Sequence, residues 1–246
     1  MRSYKVEGLI IKRRNFGEAD RLLTLFTKEK GKIKLVAKGS RKPLSKLGGM
    51  LQTFNYVSLV VAKGKNIDVI TGANMVGSRE TIQLGEISEI FSITEIIDRF
   101  LAENDPHPEV YDLVSETVEN FDTDLVLPYF KFKLLYFTGL TPELMSCVKC
   151  DSNLDTSRNG FDLSEGVLCR DCASEGIMIS NDTIKVLRLI LEKDILFFKK
   201  LEIDPKVKNE IFEITDAILV GKSHFKLNGG KFINEVKELS NEASLA

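Results

Sequence analysis

Four cysteines stand in two matched pairs, Cys147-x-x-Cys150 and Cys169-x-x-Cys172, and no other cysteine occurs in the 246 residues. Two C-x-x-C knuckles about 15–20 residues apart have the spacing of a four-thiolate zinc site. Eighteen residues separate them here, from Asp151 to Leu168. Each knuckle turns tightly enough for two sulfurs to reach one ion, and the loop between carries the second pair round to complete a tetrahedron. Four thiolates leave no open position, so the predicted Zn2+ is structural and its binding energy is folding energy. Disulfides fit less well, because they want an oxidising compartment and the polar opening MRSYKVEG does not read as a secretory leader. A redox pair of the thioredoxin kind wants one motif between a strand and a helix.

The insert between the knuckles has the turn chemistry to serve them. SRNG (residues 157–160) and SEG (164–166) flank a short apolar run around Phe161 and Leu163, which predicts a hairpin-like finger over 145–176. Helical periodicity surrounds it. Ile87, Ile90, Phe91, Ile93, Ile96, Ile97, Phe100 and Leu101 follow helical spacing, and helices are predicted at 108–121 and 125–140, the latter ended by Gly139. After the finger, Ser180-Asn181-Asp182 caps a helix through Ile184, Leu187, Leu191, Ile195 and Phe198. Asp204-Pro205 opens another that ends at Gly221, and a last short helix starts near Lys231. The finger is thus an insertion in a helical bundle over 80–246.

Residues 1–79 read differently. Runs at 4–12, 21–27, 32–37, 56–62 and 67–73 are short, β-branched and separated by Gly/Asn/Lys turns, which predicts five strands. Nine of the seventeen glycines fall here, as a small, strongly bent barrel requires. An SH3-like and an OB-type barrel both satisfy this pattern.

Charge separates the two parts. Residues 1–80 carry 17 Lys and Arg against 6 Asp and Glu, while 81–246 carry 17 against 30, so balances of +11 and −13 hide behind the net −2. The third strand is the informative stretch. Lys28, Lys30, Lys32, Lys34 and Lys38 hold even positions and Ile33, Leu35 and Ala37 odd ones, which places the lysines on one face and the aliphatics on the other. Arg41, Lys42 and Lys46 follow in a Gly-flanked loop, and Lys12, Arg13 and Arg14 end the first strand. A solvated face mixes signs, whereas this one predicts a phosphate-binding groove. Tyr4, Phe54 and Tyr56 are expected in the core. Phe16, in a turn beside Arg13 and Arg14, is the candidate to stack on a base.

No catalytic constellation emerges. His107 lies between prolines and His224 follows a helix end, neither with a nucleophile or metal-spaced partner. Gly221-Lys222-Ser223 resembles the end of a phosphate loop, but Asp216 stands where the leading glycine belongs. No run of eighteen apolar residues occurs, so no membrane span is expected.

These pieces in this order resemble the bacterial recombination mediator RecO family. The resemblance rests on YKVEGLIIKRRNFGEADRLLTLFTKEKGKIKLVAKGSRK, on LQTFNYVSLVVAKGKNIDVITGA, and on LLYFTGLTPELMSCVKC with its later CRDC. It covers essentially the full length. It implies an OB-fold N-terminal domain that binds single- and double-stranded DNA, strand annealing, and no turnover. It implies RecR as partner and help in loading RecA onto DNA coated by the single-stranded DNA-binding protein, in the cytoplasm at the nucleoid. It also implies that the acidic tail of that binding protein docks on the helical domain, with Lys131 and Lys133 as candidate contacts. Two rival readings are an enzyme with a structural zinc, such as a deacetylase, and a zinc-finger adaptor whose basic barrel binds RNA or protein.

Overall fold

The computed structural model describes residues 3–77 and 84–222, and the helix expected near Lys231 lies outside them, as does His224. The described chain forms two compact units that divide between Asp112 and Leu113.

The first unit holds a closed barrel of β1 (Ser3–Phe16), β2 (Asp20–Thr27), β3 (Gly31–Ala37), β4 (Tyr56–Ala62) and β5 (Asp68–Gly77), in the order β1-β2-β3-β5-β4. A short helix, α1 (Lys46–Met50), lies between β3 and β4, and β3 pairs with β5 in parallel. Five strands in this order, closed through one parallel pair, make an OB-fold rather than an SH3-like barrel. Closure depends on β1. It pairs with β4 over Ser3–Leu9 and with β2 over Leu9–Phe16, and the register slips between Ile10 and Lys12. Such a bulge bends a strand enough for it to serve two neighbours. Ile10, Leu23, Leu25, Ile33, Leu35, Val57, Leu59 and Val61 fill the interior, as strand alternation requires.

The outer face of the same strands is covered too. Leu22, Thr24 and Phe26 alternate with the interior residues of β2 and are also buried. Helix α2 (Leu84–Phe100) packs on β1, and Tyr111, in α3 (Pro108–Val118), sets its ring 5.7 Å from that of Phe26. Between the helices the chain runs along the start of β3. Glu103 bridges to Lys32, Asn104 N donates to Lys32 O at 2.9 Å, and Asp105 O closes over Gly31. Charge changes sign at residue 80, but the packing changes at Asp112.

The second unit is built on α4 (Val126–Phe137), α5 (Asn181–Glu192), α6 (Ile195–Phe198) and α7 (Pro205–Lys222). Helix α4 is buried nearly all round, the mark of a central helix. It stops where Gly139 takes φ +71 and Leu140 N donates to Leu135 O. The single helix expected from Ile184 to Phe198 is two. Asp194 interrupts it, its Oδ1 accepting from Phe197 N, because an aspartate side chain at that point caps a new helix. The finger between α4 and α5 carries β6 (Arg158–Asp162), β7 (Gly166–Leu168) and β8 (Ile177–Ser180), in the order β7-β6-β8. Asp162 Oδ1 accepts from Ser164 N and Glu165 N and so makes the β6–β7 turn. Residues 158–160, expected as a turn, lie within β6.

Candidate metal centre and candidate nucleic-acid interface

The four cysteines come together. Asp151 N returns to Cys147 O at 2.8 Å with Asp151 at φ +56, which closes the first knuckle. Val148 N donates to Val167 O, which ties that knuckle to β7, and Cys172 N donates to Cys169 O in the turn after β7. All four Sγ atoms lie within 4.8 Å of one another, and Cys150 Sγ stands 3.6 Å from those of both Cys169 and Cys172. A tetrahedral site with bonds of about 2.3 Å has sulfur–sulfur edges of about 3.8 Å, so the donor set fits one zinc-sized ion. A disulfide would need about 2.05 Å, and the four thiols are unlinked.

Electrostatics point the same way. Burial pushes the Cys147 thiol up, but N–H groups from Cys169, Lys149 and Cys150 outweigh it and bring it down to about 6. Hydrogen bonds with Cys150 and Cys169 push Cys172 up to about 12. Four sulfurs this close cannot all ionise unaided. A dication removes that conflict.

The barrel cations predicted as one face divide into two groups. Lys32 is buried, and its ammonium donates to Asp98 O instead of facing solvent. The period-two reading separated lysines from aliphatics but did not foresee that Lys32 would be buried against α2. Lys12 pairs with Asp98, Lys28 with Asp112 at 2.7 Å, and Lys34 with Glu103. Four of the expected phosphate contacts therefore already face carboxylates of the same unit. Arg13 donates to Gln52, and Lys30 sits 5.3 Å over the Tyr4 ring. Arg14, Lys38, Arg41, Lys42 and Lys46 are exposed and have no carboxylate partner among the described residues.

A different concavity collects cations with no carboxylate partner among the described residues. A groove of about 630 Å³ opens between the β1–β2 turn and the β4–β5 turn, floored by Val36, Ile67 and Val69 and edged by Phe16, Lys38, Lys63 and Lys65. Phe16 is 45% exposed. The groove's one acid, Asp20, turns its Oδ1 to Gly39 N at 2.7 Å. Lys63 and Lys65 were legible as a KGK turn, but their signal was charge on a hairpin tip, which alternation along a strand does not report. Tyr4, Phe54 and Tyr56, expected in the core, are only half-buried: Tyr4 donates to Asp68, Phe54 packs edge-on to Phe91, and Tyr56 approaches Tyr111.

On α4, Lys131 is buried and pairs with Asp216. Lys133 is half-buried, donates to Leu191 O at 3.0 Å and lies 5.7 Å over the Tyr129 ring. Burial pushes its ammonium down, against the pull of Glu116 and Asp194. Both lysines are engaged within their own unit.

Comparison with known proteins agrees with this architecture. Residues 1–79 match the family model described as "Recombination protein O N terminal" and residues 87–224 the one described as "Recombination protein O C terminal". A protein named DNA repair protein RecO from Dehalococcoides mccartyi is 35% identical over 219 residues, which cover 85% of this chain and 86% of that one. Proteins of the same name from Desulforamulus reducens and Bacillus velezensis are 27% and 28% identical, each over 96% of both chains. Among solved structures, asparaginyl-tRNA synthetase from Pyrococcus horikoshii aligns with 69% of this chain and 40% of its own at 8% identity and a TM-score of 0.28, too low to describe a shared fold.

Proposed function

The chain belongs to the recombination protein O family, and on that premise we propose that it is a non-enzymatic, DNA-binding recombination mediator of recombinational DNA repair. The barrel takes single- and double-stranded DNA, brings complementary strands together and, with RecR, helps load RecA onto DNA coated by the single-stranded DNA-binding protein. The observation that carries this reading is the groove edged by Phe16, Lys38, Lys63 and Lys65. The turns between strands 1 and 2 and between strands 4 and 5 are where OB-folds take oligonucleotides. An aromatic face beside cations is the arrangement that holds a single strand without reading its sequence. Arg14, Arg41, Lys42 and Lys46 are further exposed cations of the same unit. Neutralising phosphates on two strands lowers their mutual repulsion and lets bases pair.

The cysteine cluster holds a structural Zn2+ in this reading, and Cys147, Cys150, Cys169 and Cys172 are its ligands. The ion closes the finger and takes no part in a reaction. The acidic tail of the single-stranded DNA-binding protein docks on the helical unit. Of the two lysines expected to meet it, Lys133 keeps an accessible portion and Lys131 is committed to Asp216. Among the described residues no helix is long and apolar enough to cross a membrane, and the work is assigned to the cytoplasm, at the nucleoid.

Fluorescence anisotropy of a labelled single-stranded oligonucleotide tests the central claim. Tight binding that falls steeply with salt and survives scrambling of the sequence is expected. No binding at low salt would leave a zinc-finger adaptor that docks RNA or protein as the better reading, and competition by RNA and by an acidic peptide would separate those two.

A further inference from the structure

The loop from β3 to α1 combines two features that a solvated loop does not need. Leu44 is 96% exposed, so almost nothing of its own chain touches it. Yet the loop is held at several points. Gly39 N donates to Asp20, Arg41 N donates to Ala19 O, and the Arg41 guanidinium donates to Gly17 O and Glu18 O at 3.3 and 3.1 Å. Lys42 N returns to Gly39 O, Ser45 N to Lys42 O, and buried Ser40 donates to Ala37 O. Pro43 fixes the backbone just before Leu44. A lone exposed leucine is ordinary. A leucine held out by a braced loop among Arg41, Lys42 and Lys46, none of which faces a carboxylate among the described residues, is not.

We infer that Leu44 is a wedge that enters a base step of bound nucleic acid while Arg41, Lys42 and Lys46 hold the phosphates around it. The inference rests on the DNA-binding reading and deepens it. The three cations select a polyanion, and phosphates offer an aliphatic side chain nothing. What lies between phosphates is the stacked bases, and leucine is among the side chains that proteins push between base steps to unstack and kink a duplex. Arg41 also bolts the loop to the β1–β2 turn that carries Phe16, so a base loosened at Leu44 is released near an aromatic platform. A protein whose task is to exchange pairing partners gains from disturbing stacking at the strand it holds.

The test uses the full chain and a mixed-sequence duplex containing one 2-aminopurine, which brightens when unstacked. Binding by the unaltered protein is expected to raise the fluorescence, and Leu44→Ser to abolish the rise. The slope of log affinity on log salt should stay the same in that variant, since no phosphate contact is removed. Its affinity should weaken by less than about tenfold, because the burial lost is partly offset by the unstacking no longer made. Leu44→Met should retain the rise. Salt-sensitive binding without brightening, or brightening that persists in Leu44→Ser, overturns the wedge and leaves the DNA-binding reading standing; the second result would turn Leu44 toward a protein partner. Absence of binding at low salt overturns both.

Discussion

The ammonium of Lys32 donates to the backbone carbonyl of Asp98, and the same residue's carboxylate lies 3.9 Å away. A lysine near the start of β3 is thus a structural tie between β3 and α2. Burial lowers the pKa of its ammonium, against the opposing pull of the Asp98 and Glu103 carboxylates. Lys32→Glu would bury a carboxylate beside two others and is expected to cost about 3–5 kcal/mol, the scale for breaking a buried pair. Lys34→Glu, at an exposed pair with Glu103, should cost no more than about 1 kcal/mol. Urea unfolding midpoints distinguish the two. Loss of DNA binding by Lys32→Glu would then report a damaged barrel, not a missing phosphate contact.

The groove makes the opposite prediction, for binding instead of stability. Lys63→Ala and Lys65→Ala, at an exposed hairpin tip, should leave folding intact and each flatten the salt slope of oligonucleotide binding by about 1. Phe16→Ala should weaken single-strand binding by about 1–3 kcal/mol without changing the slope, because stacking releases no counterions. Lys28→Ala, already paired with Asp112, should change neither measurably. Equal effects from Lys28 and Lys63 would extend the site to the lysines of the 28–38 stretch.

What could be read in advance follows the range of the signal. The five strands, the caps at Ser180 and Asp204 and the cysteine cluster are local patterns of type and spacing, and the structure keeps them. The family resemblance selected the OB-type barrel where composition could not, and the strand order agrees with it. The status of individual lysines was not legible. Period two separates Lys32 from Ile33, but whether Lys32 meets water or α2 depends on Asp98 and Glu103, far along the chain. The break at Asp194 was missed for a related reason. Apolar spacing continued through it, while the capping carboxylate and the Glu116 acceptor for Ile195 N outweighed the period.

Gly31 reports how closely the segment after α2 lies on the barrel. Its φ is +62, and a Cβ there would stand 2.0 Å from Asp105 O. Gly31→Ala must both strain the turn and push residues 103–105 off β3. A loss of at least about 2 kcal/mol is expected, more than left-handed strain alone produces. Hydrogen exchange at the Asn104 amide, which donates to Lys32 O, should speed up before the rest of the barrel is affected. Unchanged protection there would show that the segment is not held by this strand.

Metal removal separates the finger from the rest of its unit. One zinc per chain is expected by elemental analysis, and Cys147→Ser or a strong chelator should abolish it and destabilise the finger, since the binding energy of such a site adds to its folding energy. The pH dependence has a definite sign. The metal-free fold holds Cys147 down at about 6, below the ordinary thiol value of 9.0, so the thiolate's contribution is full above 9.0 and lost as pH falls through 6. Metal binding adds to this, because the Cys172 proton held up to about 12 must leave when the ion enters. Affinity should therefore rise with pH, protons should be released on binding, and zinc should dissociate as the solution is acidified below about 6. Competition with a chromogenic chelator across pH 5–8 checks this. Affinity that stays flat over that range would mean the cysteines are not the ligands, whatever their spacing.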